Sequence, residues 1–207
     1  MQTNAIAFNP MEAYYFTTAN EDHNCYTFDM RKLDHAVSIH EDHVSAVISL
    51  DYSPTGKEFV TGSYDRTIRI FPVDQGHSRE IYHTKRMQRI FAVKYTQDNK
   101  YILSGSDDTN IRLWKAHASE KIGNLLPRER AAKDYRNKLK ERFQHAPQIR
   151  AIARDRKIPK SVLKARRLKH EMTKSMKQKQ SRVRAHSKQG AVPFVAAKKA
   201  VVRKEID

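Results

Sequence analysis

The first half of the chain contains a unit of about 43 residues that occurs three times. Each copy carries an aspartate followed six positions later by an aromatic residue, and both series advance by 43 residues per copy. The aspartates are Asp22, Asp65 and Asp108, and the aromatic residues are Phe28, Phe71 and Trp114. A fixed period of this length predicts a tandem array in which each unit buries its apolar residues against its neighbours.

Within each unit, apolar and polar residues alternate at period two, as in residues 47–52 and 91–95. Turn-forming residues interrupt these runs, for example Ser-Pro-Thr-Gly at positions 53–56. The pattern predicts short antiparallel strands rather than helices. A repeat of about 40–45 residues with four strands is typical of a propeller blade.

Two of the repeats resemble those of WD-repeat proteins. Residues 104–108, Ser-Gly-Ser-Asp-Asp, precede Trp114, and residues 61–65, Thr-Gly-Ser-Tyr-Asp, precede Phe71. In that family, hydrogen bonds join a His, a Ser or Thr, the turn Asp and the Trp of a blade. The resemblance therefore implies a structural role for four residues in this chain: His43, Asp65, Asp108 and Trp114.

Neither hydrogen-bond network is expected to be complete. Thr61 or Ser63 supplies the hydroxyl of the second blade, but Phe71 stands where the family has a donating Trp. In the third blade, Arg86 occupies the position that matches His43. A His, a hydroxyl and an Asp could also suggest a hydrolase triad. Burial between strands favours the structural role, so the sequence predicts a scaffold that is not an enzyme.

Three blades are too few to close a ring, because propellers typically have about four to eight. We therefore expect an incomplete ring, followed by an extended basic helical arm. An open arc leaves sheet faces unburied, so the chain alone should be marginally stable. We also expect it to correspond to the C-terminal part of a longer, seven-bladed protein.

The charge is concentrated in the second half of the chain. Residues 1–115 contain 13 basic and 15 acidic residues, whereas residues 116–207 contain 27 basic and 8 acidic residues, so the net charge of +17 arises from the C-terminal part. This asymmetry predicts two domains, a three-blade propeller part over residues 1–115 and a basic helical domain over residues 116–207.

The basic arm contains helical signals. Pro127 is suited to a first helical position, and Pro147 and Pro159 punctuate two further segments. Residues 160–188 carry a thin apolar stripe that cannot form a core alone. This stripe predicts docking on a neighbouring protein through Val162, Leu168 and Met172.

Residues 156–190 contain 13 basic residues and one acidic residue. Such an excess indicates a nucleic-acid backbone as partner, since neutralised phosphates release counterions. Charge alone does not separate RNA from DNA, and residues 164–169 also suit a nuclear import signal. The predicted phosphate contacts are Lys157, Lys160, Lys164, Arg166, Arg167, Lys169, Lys174 and Lys177.

The order of this chain, with blades followed directly by residues 134–162, resembles that of the Sof family. In that family a Sof-like domain follows a propeller. Residues 154–160, Arg-Asp-Arg-Lys-Ile-Pro-Lys, are the most specific part of the match. The resemblance implies a nucleolar component of the small-subunit processome, needed for maturation of 18S ribosomal RNA. The implied partners are pre-ribosomal RNA, a box C/D small nucleolar ribonucleoprotein and processome proteins.

The first repeat suggests a second role. Residues 28–31, Phe-Asp-Met-Arg, resemble the WD-x-Arg box of substrate receptors for cullin-4 RING ubiquitin ligases. In that family the box contacts the damage-binding adaptor, and Asp22, Asp29 and Arg31 match it, while Thr27 and Phe28 depart from it. A simpler interpretation is that Asp29 and Arg31 pair on a solvated turn.

Other classes of function find no support in the sequence. The six glycines are spread singly rather than in a phosphate-cradling loop, and Cys25 is the single cysteine, so no zinc spacing exists. No segment approaches the roughly 18 apolar residues of a membrane span. We therefore expect no cofactor, metal, membrane or small-molecule substrate.

Overall fold

The structure is a computed structural model, and it describes residues 2–202 except for the side chain of Arg154. The chain forms two compact units. The blade unit comprises Met1–Ala116 with Ile158–Asp207, and the hairpin unit comprises His117–Lys157. The division into residues 1–115 and 116–207 remains a prediction, because the compact units divide the basic arm at a different place.

The blade unit contains three antiparallel sheets, which correspond to the three sequence repeats. The first sheet has strands β1 (Thr3–Phe8), β2 (Tyr15–Asn20), β3 (Cys25–Asp29) and β4 (Ser38–His40). The second has β5 (Val47–Tyr52), β6 (Glu58–Ser63), β7 (Ile68–Pro72) and β8 (Glu80–Tyr82). The third has β9 (Ile90–Tyr95), β10 (Tyr101–Ser106) and β11 (Ile111–Lys115). The WD-type β architecture predicted from the repeat is confirmed.

The strand register repeats from blade to blade. Phe59 lies opposite Phe71 in the second sheet, and Ile102 lies opposite Trp114 in the third, which is the same pair displaced by 43 residues. The 43-residue sequence period therefore corresponds to one blade, with each residue keeping its place in the sheet.

Two apolar cores lie between adjacent blades. The core between the first and second blades is formed by Ala19, Cys25, Val47, Leu50, Tyr52, Phe59 and Phe71. The core between the second and third is formed by Val60, Ile68, Ile70, Met87, Ile90, Val93, Tyr95, Ile102 and Ala116. The second blade is thus buried on both faces, and this inter-blade burial is the main apolar contribution to folding.

The outer face of the third blade is open. Leu103, Ile111 and Leu113 are 39%, 80% and 60% exposed. The residues 43 positions earlier, Val60, Ile68 and Ile70, are fully buried, because the third blade packs against them. At the other end of the arc, Phe8 of β1 is 59% exposed. The three blades do not close a ring, as the sequence predicts.

Helix α3 (Lys160–His186) belongs to the blade unit and lies against the first and second blades. It begins directly after Pro159, so the chain is extended up to the first turn of the helix. A single turn, α4 (Ala197–Ala200), follows. There the carbonyl of Lys198 accepts a hydrogen bond of 3.0 Å from the amide of Ala36, which ties the end of the arm to the first blade.

The hairpin unit contains α1 (Pro127–Arg142) and α2 (Pro147–Arg154). Both helices have proline in the first turn, where its missing N–H costs no helical hydrogen bond. Glu129 accepts a hydrogen bond from the amide of Leu126 at 3.4 Å and another from Lys121 at 2.8 Å. The helix starts predicted at Pro127 and Pro147 agree with these elements.

Candidate functional site

The second blade contains a buried hydrogen-bond network at the predicted position. His43 Nδ1 lies 2.9 Å from Asp65 Oδ2, and His43 Nε2 lies 2.7 Å from Thr61 Oγ1. Thr67 donates to Asp65 through its amide at 2.9 Å and its hydroxyl at 2.6 Å. Burial alone would raise the pKa of Asp65, but His43 and Thr67 together lower it to about 2. Of the two candidate hydroxyls, Thr61 is the one that binds His43, because the hydroxyl of Ser63 donates to the carbonyl of Ala46 instead.

The third blade has only part of this network. Trp114 Nε1 donates to Ser104 Oγ at 2.8 Å. Asp108 instead accepts from Arg112, whose Nη1 lies 3.0 Å from Asp108 Oδ1. The hydrogen bond from Arg112 contributes most to the lowered pKa of Asp108. Trp114 and Asp108 are therefore held in separate interactions, in keeping with the absence of a matching His in the sequence.

The residue that replaces Trp in the second blade fills space without donating a hydrogen bond. The Phe71 ring stacks on Phe59 at 5.5 Å between ring centroids and contacts His43 at 6.0 Å. His40, a residue that no sequence pattern indicated, makes edge-to-face contacts with both phenylalanine rings.

His40 connects the first blade to the second. Its Nε2 lies 3.0 Å from Thr27 Oγ1, and its Nδ1 lies 2.8 Å from the carbonyl of Gln75. Burial lowers the pKa of His40 to about 4. No sequence signal marked this residue, because it lies in the short strand β4 and only blade packing brings its partners together.

Helix α3 is joined to the blades by charged contacts that centre on Asp42. Arg166 Nη2 lies 3.2 Å from Asp42 Oδ1, and Ser78 donates to Asp42 Oδ2 through its amide and hydroxyl, both at 2.7 Å. The buried Arg69 approaches the same carboxylate at 3.6 Å. Burial alone would raise the pKa of Asp42, but Ser78, Arg69 and Arg166 lower it overall.

Two further residues complete the blade-facing side of α3. Val162 is buried, with 4% of its surface exposed. Lys169 Nζ donates to the carbonyl of His43 at 3.2 Å and to Asn24 Oδ1 at 3.4 Å. Burial lowers the pKa of Lys169.

Three predicted site residues of α3 contact the blades of the same chain. The sequence predicts protein docking at Val162, whereas the structure buries this side chain inside the chain itself. It predicts phosphate contacts at Arg166 and Lys169, and both cations also bind groups of the blades, so their contact with phosphate remains a prediction. Charge pattern alone does not distinguish a cation that binds its own domain from one that faces solvent.

The other side of α3 carries exposed cations. At 100° per residue, Lys160, Lys164, Arg167 and Lys174 fall within a sector of about 80°, which we call the basic face and which also contains Glu171. All four are exposed, and Val162 and Lys169 lie on the opposite side of the helix. Lys177 is exposed but lies outside this sector, near the direction of Arg166. Lys157 is the last residue of the hairpin unit, so it does not belong to this face.

Between the blade-facing side and the basic face, α3 presents apolar residues. Leu168 and Met172 are 59% and 63% exposed, and Met176 is 53% exposed. These three side chains line one shallow groove together with Ser175 and Lys179. Two of the three predicted docking residues, Leu168 and Met172, therefore lie side by side on an open surface.

Asp29 and Arg31 form an ion pair at the end of β3. Arg31 Nη2 lies 2.8 Å from Asp29 Oδ2, and Arg31 Nε lies 3.1 Å from Asp29 Oδ1. The guanidinium lies 4.4 Å from the centre of the Tyr14 ring. The hydrogen bonds from Arg31 lower the pKa of Asp29. The Arg31 side chain remains 57% exposed, so the pair is open to a partner.

Asp22 lies at the opposite end of β3 and belongs to a different arrangement. Its carboxylate accepts from the Tyr26 hydroxyl and, at 3.3 Å, from the amide of Asn24. These bonds shape the turn that leads into β3. The structure therefore does not bring Asp22 together with Asp29 and Arg31.

The described residues 2–202 contain neither a candidate metal cluster nor a candidate membrane-spanning helix. Over this described part of the chain, no group of three or more His, Cys, Asp or Glu side chains could hold a metal ion. In the same residues, none of the helices combines the length and apolar character needed to cross a bilayer.

Family models match most of the chain from residue 35 to residue 202. A Sof1-like domain matches residues 116–202, and the WD domain, G-beta repeat, matches residues 35–71 and 75–115. The crystal structure of the WD40 β-propeller domain of Doa1 is similar, with a TM-score of 0.50 and 23% identity over 56% of this chain and 38% of that one. At this level of identity, the similarity to the Doa1 domain shows the fold alone.

Curated relatives are similar over the whole chain. DDB1- and CUL4-associated factor 13 from Danio rerio is 56% identical over 207 residues, which cover 100% of this chain and 46% of the relative. Protein SOF1 from Saccharomyces cerevisiae is 51% identical over 199 residues, which cover 96% of this chain and 40% of the relative. The chain thus spans less than half the length of these relatives. With its WD repeats followed by a Sof1-like domain, the chain belongs to the Sof family of WD-repeat proteins.

Proposed function

We propose that the chain is a non-enzymatic scaffold in ribosome biogenesis. It acts in the nucleus, within the nucleolar small-subunit processome, where it supports 18S pre-rRNA processing. Its basic arm contacts pre-ribosomal RNA, a small nucleolar ribonucleoprotein and processome proteins. The similarity to Protein SOF1 supports the family part of this proposal. The observation that carries the RNA role is the basic face, which points away from the blades that hold α3.

The charge of α3 favours a polyanionic partner. The helix has ten Lys and Arg residues and a single acidic residue, Glu171. Protein surfaces usually mix the two signs, since like charges on one helix repel each other. Because Arg166 and Lys169 hold the helix on the blades, the helix that carries the basic face is oriented before binding. Such pre-organisation reduces the entropy lost when a phosphate backbone binds.

The test is a charge reversal confined to the basic face, with Lys164→Glu, Arg167→Glu and Lys174→Glu combined. Binding of the full chain to a structured RNA is measured over a range of salt concentrations. Loss of three phosphate contacts should weaken binding at least tenfold and reduce the log–log salt slope by about 2.

The matched control makes the same charge change on the blades, with Lys32→Glu, Lys57→Glu and Lys100→Glu combined. These residues are exposed and lie outside α3. The control should retain most of the affinity and the original slope. Equal losses of affinity in both triple variants would show that binding depends on overall charge alone. Unchanged affinity and slope in the basic-face variant would reject the RNA role.

A second candidate function is a substrate receptor of a cullin-4 RING ubiquitin ligase. The exposed ion pair of Asp29 with Arg31 favours it, because both charged groups are already aligned at the edge of a blade. The name of the relative DDB1- and CUL4-associated factor 13 is consistent with this role. In this proposal Asp29 and Arg31 contact the ligase adaptor, and Asp22 keeps the turn before β3 in shape.

Arg31→Ala tests the receptor role. It should abolish co-purification with the adaptor while association with pre-ribosomal particles persists. Arg112→Ala is a suitable control, since it removes an arginine from a similar short-range pair with Asp108 in the third blade. Adaptor recovery that is equal in all three proteins would contradict the assignment of the box.

A further inference from the structure

The hairpin unit contains an apolar groove that its own residues do not cover. Leu139 and Phe143 from the end of α1 and Ile149 and Ile152 from α2 line an open groove of about 460 Å³. Leu139, Phe143 and Ile152 are 36%, 46% and 74% exposed. No residue of α1 is buried, so the hairpin has no core in which these side chains could be enclosed.

Such a surface is costly in water. Removing Leu, Ile or Phe side chains from water favours association, and four such side chains converge here. Contiguous apolar patches on soluble proteins commonly mark interaction sites. The side chains come from two helices joined by a short turn, which shapes the patch as a groove rather than as a flat face.

Positive charge flanks the α1 stripe that contributes to the groove, and Lys140 lines the groove itself. At 100° per residue, Tyr135, Leu139 and Phe143 form one stripe of α1. Arg136 and Lys140 flank this stripe on one side, and Lys138 and Arg142 flank it on the other. Residues 117–157 contain 12 basic and 5 acidic residues in total. A partner that fits must present apolar side chains with carboxylates on either side.

We propose that this groove binds an acidic amphipathic helix of a protein partner. A helix with apolar residues at positions i, i+3 or i+4, and i+7 places one stripe into such a groove, and Asp or Glu beside the stripe meets the basic borders. This inference rests on the proposed role of the basic arm in protein contacts and specifies the partner. It concerns a surface separate from the basic face of α3.

Nucleic acid suits this groove less well than it suits α3. Four of its five lining side chains are apolar, and Lys140 is the one lining residue with a hydrogen-bond donor for a sugar-phosphate chain. Phosphates could still bind the cations at its borders. The experiment therefore includes RNA as a competing ligand.

The test measures binding of a fluorescent synthetic peptide to the full chain by anisotropy. The peptide is a helix former with Leu and Phe on one face and Glu on both flanks, and a scrambled peptide of the same composition serves for comparison. The amphipathic peptide should bind at least tenfold more tightly than the scrambled one. Similar affinities would overturn the proposal, because binding would then depend on charge alone.

Substitutions locate the binding surface. Phe143→Asp combined with Ile152→Asp should weaken peptide binding at least tenfold, and circular dichroism checks that the helices persist. Ile122→Asp, an exposed apolar residue outside the groove, should leave the affinity unchanged. If the groove variant binds the peptide as well as the original chain, the proposal is wrong.

Two comparisons separate this proposal from the RNA role. The basic-face variant should bind the peptide normally, and the groove variant should bind structured RNA normally. If a single-stranded RNA displaces the peptide and the groove variant loses RNA binding, the groove is a nucleic-acid site, which overturns the helix proposal while leaving the RNA role of α3 intact.

Discussion

Arg166 and Asp42 are separated by 124 residues in sequence, yet they form an ion pair of 3.2 Å that joins α3 to the second blade. Asp42 is held in place by two hydrogen bonds from Ser78, so its carboxylate is a fixed anchor. The contact determines which side of α3 faces the blades. It therefore also determines which cations remain available for a partner.

Arg166→Ala should loosen α3 without unfolding the blades. Because the Arg166 side chain is 46% exposed, solvent screens the pair, and the loss in free energy of unfolding should stay below about 1 kcal/mol. Amide hydrogen exchange in residues 160–175 should become faster. Arg167→Ala, on the basic face, is the control and should not alter this exchange. Equal exchange in both variants would show that Asp42 does not anchor the helix.

Gly62 and its counterpart Gly105 should respond differently to alanine. A Cβ at Gly62 would lie 2.6 Å from Ile90 Cγ2 and 2.9 Å from Val93 Cγ1, so Gly62→Ala should destabilise the chain by about 1–3 kcal/mol. A Cβ at Gly105 would meet nothing closer than Ala92 Cβ at 3.9 Å. Gly105→Ala should therefore be neutral or stabilise by up to about 1 kcal/mol. Urea denaturation compares the two, and equal effects would contradict the tight packing between the second and third blades.

The open face of the third blade should tolerate charge. Ile111→Lys with Leu113→Glu should leave the unfolding midpoint nearly unchanged and reduce self-association measured by light scattering, since both residues are exposed on β11, the edge strand of the third sheet. Ile68→Lys with Ile70→Glu makes the same change one blade earlier, where both residues are buried. That variant should not fold stably. Comparable damage from both changes would mean that the outer face is covered.

Stability should fall as the pH is lowered from about 6.5 to about 4. Burial lowers the pKa of His40 from 6.5 to about 4, so the unfolded chain binds a proton more readily in this interval. The stabilising contribution is complete above pH 6.5 and is lost as the pH falls through the folded pKa. A shift of this size corresponds to about 3 kcal/mol.

His40→Gln should reduce this pH dependence of the free energy of unfolding. Some pH dependence should remain because of His43, since burial also lowers the pKa of that residue. His170→Gln, an exposed substitution on α3, is the control and should retain the full dependence. A pH profile of His40→Gln identical to that of the original chain would contradict the assigned role of His40.

The sequence by itself determined the repeat and its consequences. The spacing of Asp22, Asp65 and Asp108 predicts three blades of one register, because a tandem unit must place equivalent residues at equivalent points of each sheet. Turn residues and prolines predict where strands and helices begin. The charge asymmetry predicts a basic arm after the blades. All of these are local or periodic signals that one stretch of chain carries alone.

Only the tertiary structure decided the use of individual charged residues. Arg166 and Arg167 are neighbours of the same type, yet one binds Asp42 and the other lies on the basic face. His40 was not recognised because its partners Thr27 and Gln75 belong to two different blades. Such pairings depend on which surfaces meet in three dimensions. The sequence of a helix determines the directions of its side chains about the axis. Which side faces the protein depends on packing against residues more than 100 positions away in the chain.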